Sequence, residues 1–414
     1  MKKDQKNSTV EGNEQKNEKK NVQRTPPEKK ITTILVVFDW QDHRIYRGIA
    51  QYCVENNWHL SPYCFSDRSL LENWPGDGAI TCYGDGLSDF ILNLDMPKVD
   101  VTLRDIPQDI PRVVVDNEQV GRKAARYFLR KRYKDFAYFS WDEIQVNQMR
   151  KEAFVRTLKE EGGIDDERIH FIEQPSEEVM MDWGKHMECL VDQVKKMPRP
   201  LAVFTGQDNL GSSLVEACVS SGIAVPEEVA VLGVDNIEFL CDCSVVPLSS
   251  IDTRLSDLGY AAAEQLGRLI KGEIKPSEPT VTVPTGEIIS RRSTESLAVS
   301  HPAVVKALQI MRREFMNGLV LSDVYKEVGL TKRGLEKAFK KHLADSPASV
   351  LRQIRLNYAK MCLTQTDVKI EALALECGYS NSSNLSHAFN RETGMSPHDY
   401  RNMYRSPLFA GRKR

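Results

Sequence analysis

The sequence predicts a two-lobed α/β domain with parallel sheets, followed by an all-α domain with two helix-turn-helix motifs. Three observations carry this reading. From Ile31 to about Arg291, short β-branched runs alternate with amphipathic helical periods, the pattern of parallel α/β packing. After His301 the strand pattern stops and every segment has helical periodicity. Within that helical block, one unit of helix, glycine, polar cap and second helix occurs twice.

Taken in chain order, residues 1–30 have almost no apolar content and end in Pro26-Pro27, so they read as a disordered polar tail. Expected strands are Thr33–Phe38, Gly78–Cys82, Arg112–Val115, Phe136–Ser140, Leu201–Thr205 and Val229–Val234. Between them lie expected helices at Arg44–Val54, Gly121–Arg130, Arg150–Glu161, Leu210–Ser220 and Leu255–Lys271. The span 31–290 suits two doubly wound lobes, with the switch near Asp116–Val120 and the second lobe starting at Asp135–Ser140. Residues 291–300 read as a linker, 301–405 as the helical domain, and 406–414 as a basic tail. The expected helices of the last domain are Pro302–Met316, Leu321–Val328, Lys332–His342, Pro347–Leu363, Ile370–Cys377, Ser382–Glu392 and Pro397–Tyr404.

The chain has 414 residues and a formal net charge of −2. That near-neutrality conceals opposites, since residues 1–30 carry +4, 31–300 carry −15 and 301–414 carry +9. An acidic body joined to a basic helical block points to nucleic acid as a partner of the latter. No apolar run approaches the roughly 18 residues of a membrane span, and the N-terminus has no signal-peptide character, so a cytoplasmic protein is expected. The nine cysteines are scattered; Cys241 and Cys243 lack the second pair that a zinc site needs, and reduced buried thiols are the simpler reading.

In the first repeated unit, Gly329 stops a helix and Thr331 caps the next, which buries Leu335, Ala338 and Phe339. In the second, Gly378 and Ser380 do the same for Leu385, Ala388 and Phe389. The opposite faces carry Arg333, Glu336, Lys337 and Lys340 in one copy, and Ser382, Ser383, Asn384, His387 and Arg391 in the other. These side chains suit base edges and phosphates in a major groove. Gly334, inside the first of these helices, costs roughly 1 kcal/mol relative to alanine. With Gly378-Tyr379, Phe389, Gly394-Met395-Ser396-Pro397 and Tyr400-Arg401, and with Arg355 and Ala359 on the long helix between the copies, the block resembles the AraC-type DNA-binding domain over about 301–404. The resemblance implies that Arg333, Glu336 and Lys337, then Ser382, Ser383, Asn384 and His387, read bases in two successive groove segments of a double-stranded operator.

In the α/β block, ligand-seeking side chains are expected just past strand ends. Asp39-Trp40, Trp141, Asp208 and Asp235 stand there, and Arg150 opens the helix after Trp141. Carboxylates and a guanidinium can bracket vicinal hydroxyls, and tryptophan offers an apolar face to sugar C–H groups. The alternatives are plain ones: Asp39 and Asp235 as helix caps, Trp40 and Trp141 as packing residues, and Arg150 paired with Asp142 or Glu143. The runs Val113–Asn117, Arg150 with Ala153-Phe154, Gln207-Asp208-Asn209 and Val225–Asn236 are similar to the LacI/GalR-type sensor, which is related to periplasmic sugar-binding proteins. That resemblance implies that Arg150, Asp208 and Asp235 contact sugar hydroxyls.

No Gly-rich phosphate loop, HExxH or GxSxG motif is present, so no catalytic residue, metal or cofactor is expected. The expected function is a sugar-responsive transcription regulator, with xylose or a related monosaccharide as effector. A homodimer reading two half-sites is expected, with the segment Thr285–Ser300 transmitting the signal; family likeness alone implies an activator, with RNA polymerase as partner in that case. Two alternatives stay open: an α/β unit that only dimerises, and a sugar-converting enzyme with an appended bundle.

Overall fold

The computed structural model describes residues 31–38, 42–61, 74–84, 86–141, 145–295, 298 and 301–404. The readings made for the two tails and for Asp39 and Trp40 lie outside the described residues.

The first lobe opens with β1 (Thr32–Val37), α1 (His43–Asn56), β2 (Trp58–Leu60), β3 (Gly78–Thr81), α2 (Ser88–Asn93), β4 (Lys98–Asp100) and β5 (Val113–Val115). After α3 (Asn117–Arg130) the second lobe holds β6 (Asp135–Phe139), α4 (Gln145–Gly162), β7 (Ile169–Ile172), α5 (Glu177–Met180), α6 (Trp183–Lys195), β8 (Leu201–Thr205), α7 (Asp208–Ser220), β9 (Val229–Val234), α8 (Glu238–Cys243) and β10 (Ser249–Ile251). Then come α9 (Leu255–Ile270), β11 (Val281–Val283) and β12 (Ile288–Ile289). Strands β2-β1-β3-β4 form a parallel sheet, and β5 pairs in parallel with β11. The second-lobe sheet runs β12-β10-β9-β8-β6-β7, with only β12 antiparallel. Strands β3, β8 and β9 are buried at every residue, as expected where helices cover both faces of a parallel sheet.

One switch between lobes was expected; the chain crosses three times. It crosses after β5, again as β10 gives way to α9, which packs Leu258, Ala262 and Leu266 with Ile45 and Ile49 of α1, and again between β11 and β12. The later crossings escape a reading by periodicity because β10, β11 and β12 have only two or three residues each.

The segment Arg291–Glu295 is a correction to the expected linker. Ser293 and Thr294 are fully buried in the second lobe. The Ser293 hydroxyl donates to the Val231 carbonyl at 2.6 Å, and Ser249 N donates to that hydroxyl at 2.8 Å. Small hydroxyl side chains look like linker composition, yet they also satisfy backbone groups inside a packed sheet.

The helical domain contains α10 (Pro302–Glu314), α11 (Leu321–Val328), α12 (Lys332–Leu343), α13 (Pro347–Gln365), α14 (Ile370–Glu376), α15 (Ser382–Thr393) and α16 (Pro397–Tyr404), each within two residues of the expected bounds. It has two cores that share α13. Val324, Leu335, Phe339, Leu351 and Ile354 belong to the first, and Leu356, Leu363, Leu373, Leu385 and Phe389 to the second. Gly329 (φ 77°) and Gly378 (φ 74°) end α11 and the α14 segment in the left-handed conformation that a residue with a Cβ rarely adopts. Thr331 caps α12 as read, whereas α15 is capped by Asn381 rather than Ser380.

Candidate functional site

The α/β cleft is organised around Arg150 on α4, which is 5% exposed. Gly121 allows this placement: a Cβ there would lie 2.3 Å from the Arg150 carbonyl oxygen, so α3 and α4 touch backbone to backbone. The first residue of α3, Asn117, thereby meets the guanidinium. Arg150 Nε donates to Asn117 Oδ1 at 2.9 Å and Nη1 to the Gly206 carbonyl at 2.6 Å, just past β8. Nη2 lies 3.9 Å from Asp235 Oδ1, just past β9. The structure thus brings Arg150 and Asp235 together as a guanidinium–carboxylate pair at neighbouring strand ends; the alternative partners Asp142 and Glu143 lie outside the described residues.

Asp235 (φ 97°) and Asn236 (φ 50°) form a left-handed turn, conformations that cost energy outside glycine and persist only where surroundings fix them. Asp235 N donates to the Ile251 carbonyl at 2.9 Å, Asn236 N to Ser250 Oγ at 2.9 Å and Ile237 N to Asp208 Oδ2 at 2.7 Å. Thr253 Oγ1 donates to Asp235 Oδ1 at 3.1 Å. From the other lobe, Arg44 Nη1 donates to the carbonyls of Asp235 and Asn236, while Asp42 grips the same guanidinium, its Oδ2 lying 2.7 Å from Nη2. Arg44 is therefore a clasp between lobes.

The remaining sequence-predicted residues separate by environment. Asp208 is fully buried behind the 235–237 turn, with Oδ1 accepting from Ser250 Oγ at 2.6 Å and Oδ2 bound to the turn. It holds the turn in place. Trp141 is half-buried and packs against the second-lobe core. Sequence reasoning missed Arg44, Asn117 and Asp100. Asp100, fully buried at the end of β4, accepts from Thr81 Oγ1 and Tyr83 N at 2.7 and 2.8 Å. The strand-end rule could have found Asp100, but nothing local marks Arg44 as reaching across the cleft.

On the helical domain, Arg333, Glu336, Lys337 and Lys340 are exposed on α12, opposite buried Leu335 and Phe339. Ser383, Asn384, His387 and Arg391 are exposed and Ser382 half-buried on α15, opposite buried Leu385 and Phe389. The face of α15 lines an open groove together with Tyr379 and Ser396. Arg355 of α13 ties the two halves: Nη2 donates to the Leu319 carbonyl at 2.9 Å, and its guanidinium lies 5.7 Å from the Tyr379 ring centroid. The angle between the two presented helices is thus set by α13.

Comparison with known proteins matches residues 125–294 to a periplasmic binding protein-like domain and residues 324–403 to a helix-turn-helix domain. The xylose operon regulatory protein of Escherichia coli (strain K12) is 24% identical over 386 residues, covering 90% of this chain and 97% of that protein. Its counterpart from Haemophilus influenzae is 27% identical over 300 residues, covering 70% and 74%. A solved structure of a xylose-binding transcription activator superposes with a TM-score of 0.76 at 23% identity, covering 91% of this chain and 100% of that one. The chain is a DNA-binding transcription regulator similar to those of xylose operons. The α/β block of this regulator is its sensor and the helical block its reader. Among the described residues, no helix is long and apolar enough to cross a membrane, and no cluster of three or more His, Cys, Asp or Glu is placed to hold a metal ion.

The electrostatics of the sensor of this regulator give a pH prediction. Burial, with the Asp235 carboxylate adding to it, pushes the Asp208 carboxyl up to about 7, against hydrogen bonds from Ser250, Ile237 N and Cys241. The unfolded value is near 3.9, so the folded chain binds this proton more tightly. Its stabilising contribution is complete below about pH 4 and is lost as pH rises through about 7. Asp208→Asn can keep one acceptor on Ile237 N and donate to Ser250 Oγ, so the variant should fold and show a flatter loss of stability between about pH 4 and about pH 7. Denaturant melts of both proteins check this, and identical pH slopes would refute it.

Proposed function

We propose that the sensor takes D-xylose or a closely related monosaccharide between its lobes, and that the bound sugar changes how a homodimer engages its operator. The observation that carries the ligand class is the Arg150–Asp235 pair, a buried guanidinium beside a half-buried carboxylate, where a polyol can bridge both with charge-assisted hydrogen bonds. Near full-length similarity to xylose operon regulators supports the choice of pentose. Arg44, joining the lobes across the cleft, supports closure as the response. Differential affinity of the sugar for open and closed states then supplies the switch.

The exposed apolar side chains of Phe239 and Val245, around α8, support self-association through the second lobe. A dimer presents four recognition helices, two per reader, to paired half-sites. The protein acts on nucleoid DNA in the cytoplasm as a non-enzymatic activator that recruits RNA polymerase once its readers are seated.

Titration of the full chain with D-xylose, L-arabinose, D-ribose and D-glucose by calorimetry tests the ligand, with light scattering for the dimer. Micromolar to millimolar binding of D-xylose without conversion of the sugar is expected. A dimer that binds none of the four would make the α/β block a dimerisation module, and product formation would make it an enzyme.

A further inference from the structure

Sensor and reader meet in a buried ion cluster that neither sugar contact nor base reading explains. Arg312 of α10 has an 8% exposed side chain, with Nε 2.5 Å from Glu227 and Nη1 2.7 Å from Glu295. Asn357 of α13 donates to the other oxygen of Glu295. Burial opposes ionisation of Glu295, but Arg312 and Asn357 hold its carboxyl below the usual carboxylate range.

The two carboxylates come from different places. Glu227 stands just before the amino end of β9. Glu295 ends the segment Arg291–Glu295, which returns along β9 and β10. Arg291 Nη1 donates to Asn236 Oδ1 at 3.0 Å, at the cleft end of β9. Ser293 Oγ grips the Val231 carbonyl in mid-strand at 2.6 Å, and Thr294 Oγ1 donates to Ser249 Oγ at 2.7 Å. A six-residue strand spans roughly 20 Å, so the segment joins the cleft turn to the reader over that distance. Its cleft end is the Asn236 that also receives Arg44 from the first lobe.

We propose that Arg291–Glu295 is a strap that converts the position of the Asp235–Asn236 turn into the position of the reader, with Arg312 as its joint. This rests on the sugar-sensor reading above. When the turn moves, the strap shifts Glu295 relative to Glu227, which is fixed to the body of the lobe. A buried guanidinium cannot lose one of two carboxylates gradually, so α10 and α13 must re-seat as a unit. The reader thereby has two seatings rather than a continuum.

The test uses the full chain, D-xylose, and a DNA duplex selected by that chain from a random pool. The readout is the ratio of duplex Kd with and without sugar, expected at about 5–150-fold in the unaltered protein. Glu295→Gln and Asn357→Leu lie away from both sugar and DNA. In each, sugar affinity should stay within about threefold while the ratio falls to within about twofold of unity. A ratio preserved in both variants overturns the strap. A second arm needs no ligand: hydrogen exchange at Asn236, Ile237 and Glu238 should quicken by about tenfold in Asn357→Leu, with α15 unchanged. Unchanged exchange at that turn overturns the strap as well. If D-xylose fails to bind the unaltered protein, the sugar reading fails and the exchange arm alone decides the strap.

Discussion

Replacing Arg150 by methionine is expected to abolish measurable D-xylose binding, a loss of at least about 100-fold, while the reader keeps its affinity for DNA in the absence of sugar. The size of the effect follows from what the guanidinium holds. Its Nε and Nη1 bonds to Asn117 and to the Gly206 carbonyl fix the ends of α3 and β8, and its third nitrogen faces Asp235. Methionine keeps an unbranched apolar stem but leaves two buried acceptors without donors, at about 1–3 kcal/mol each. It also removes the guanidinium that faces the Asp235 carboxylate from α4. Sensor stability should therefore fall by a few kcal/mol, and any sugar hydroxyl that the guanidinium would contact loses a charge-assisted bond. Arg150→Lys restores the charge without the planar fork, and should recover part of the stability but little of the affinity. Calorimetry with D-xylose, together with thermal melts of the two variants, separates binding from folding. Unaltered sugar affinity in Arg150→Met would move the ligand away from this pair.

The reader was legible in the sequence almost element by element, because each device in it is local. Gly329 and Gly378 stop helices through their own backbone conformation, and Leu335 with Phe339 and Leu385 with Phe389 face the cores at helical spacing. The sensor was legible where one strand end carries its own polar residue, as at Asp235. It was illegible where a side chain acts on something far away in sequence. Asp208 resembles a cleft carboxylate by position, but it lies behind the turn at Asn236, with one oxygen held by Ile237 N and the other by Ser250 Oγ of β10. Arg44 looks like the polar face of an amphipathic helix and instead reaches a turn 191 residues away. The strap has the composition of a linker, and only pairing with β9 and β10 reveals it as sheet-bound. Such contacts depend on the second and third crossings of the chain, which strands of two or three residues do not announce.

Asn384→Ala and His387→Ala are each expected to reduce discrimination between operator and mismatched duplex by about 5–150-fold, the equivalent of about 1–3 kcal/mol per base contact. Both side chains are exposed on α15, on the face opposite Leu385 and Phe389, so truncation removes no core packing. Asn384 Nδ2 donates to Ser380 Oγ at 2.7 Å, which holds the side chain at the start of the helix. The cap, in which Asn384 N donates to Asn381 Oδ1 at 2.9 Å, is unaffected by either substitution. The helix should consequently persist and stability change by less than about 0.5 kcal/mol. Lys340→Ala provides the contrast, because an ammonium on phosphate carries no sequence information. It should weaken all duplexes alike and lower the salt slope by about 0.9 for the lost contact. Asn381→Ala supplies a third behaviour: loss of the cap costs about 1 kcal/mol of helix stability and weakens binding without altering base preference. Binding to a panel of singly substituted duplexes at two salt concentrations distinguishes all three. If Lys340→Ala shifts base preference while Asn384→Ala only weakens all duplexes alike, the base-reading face of α15 is misassigned.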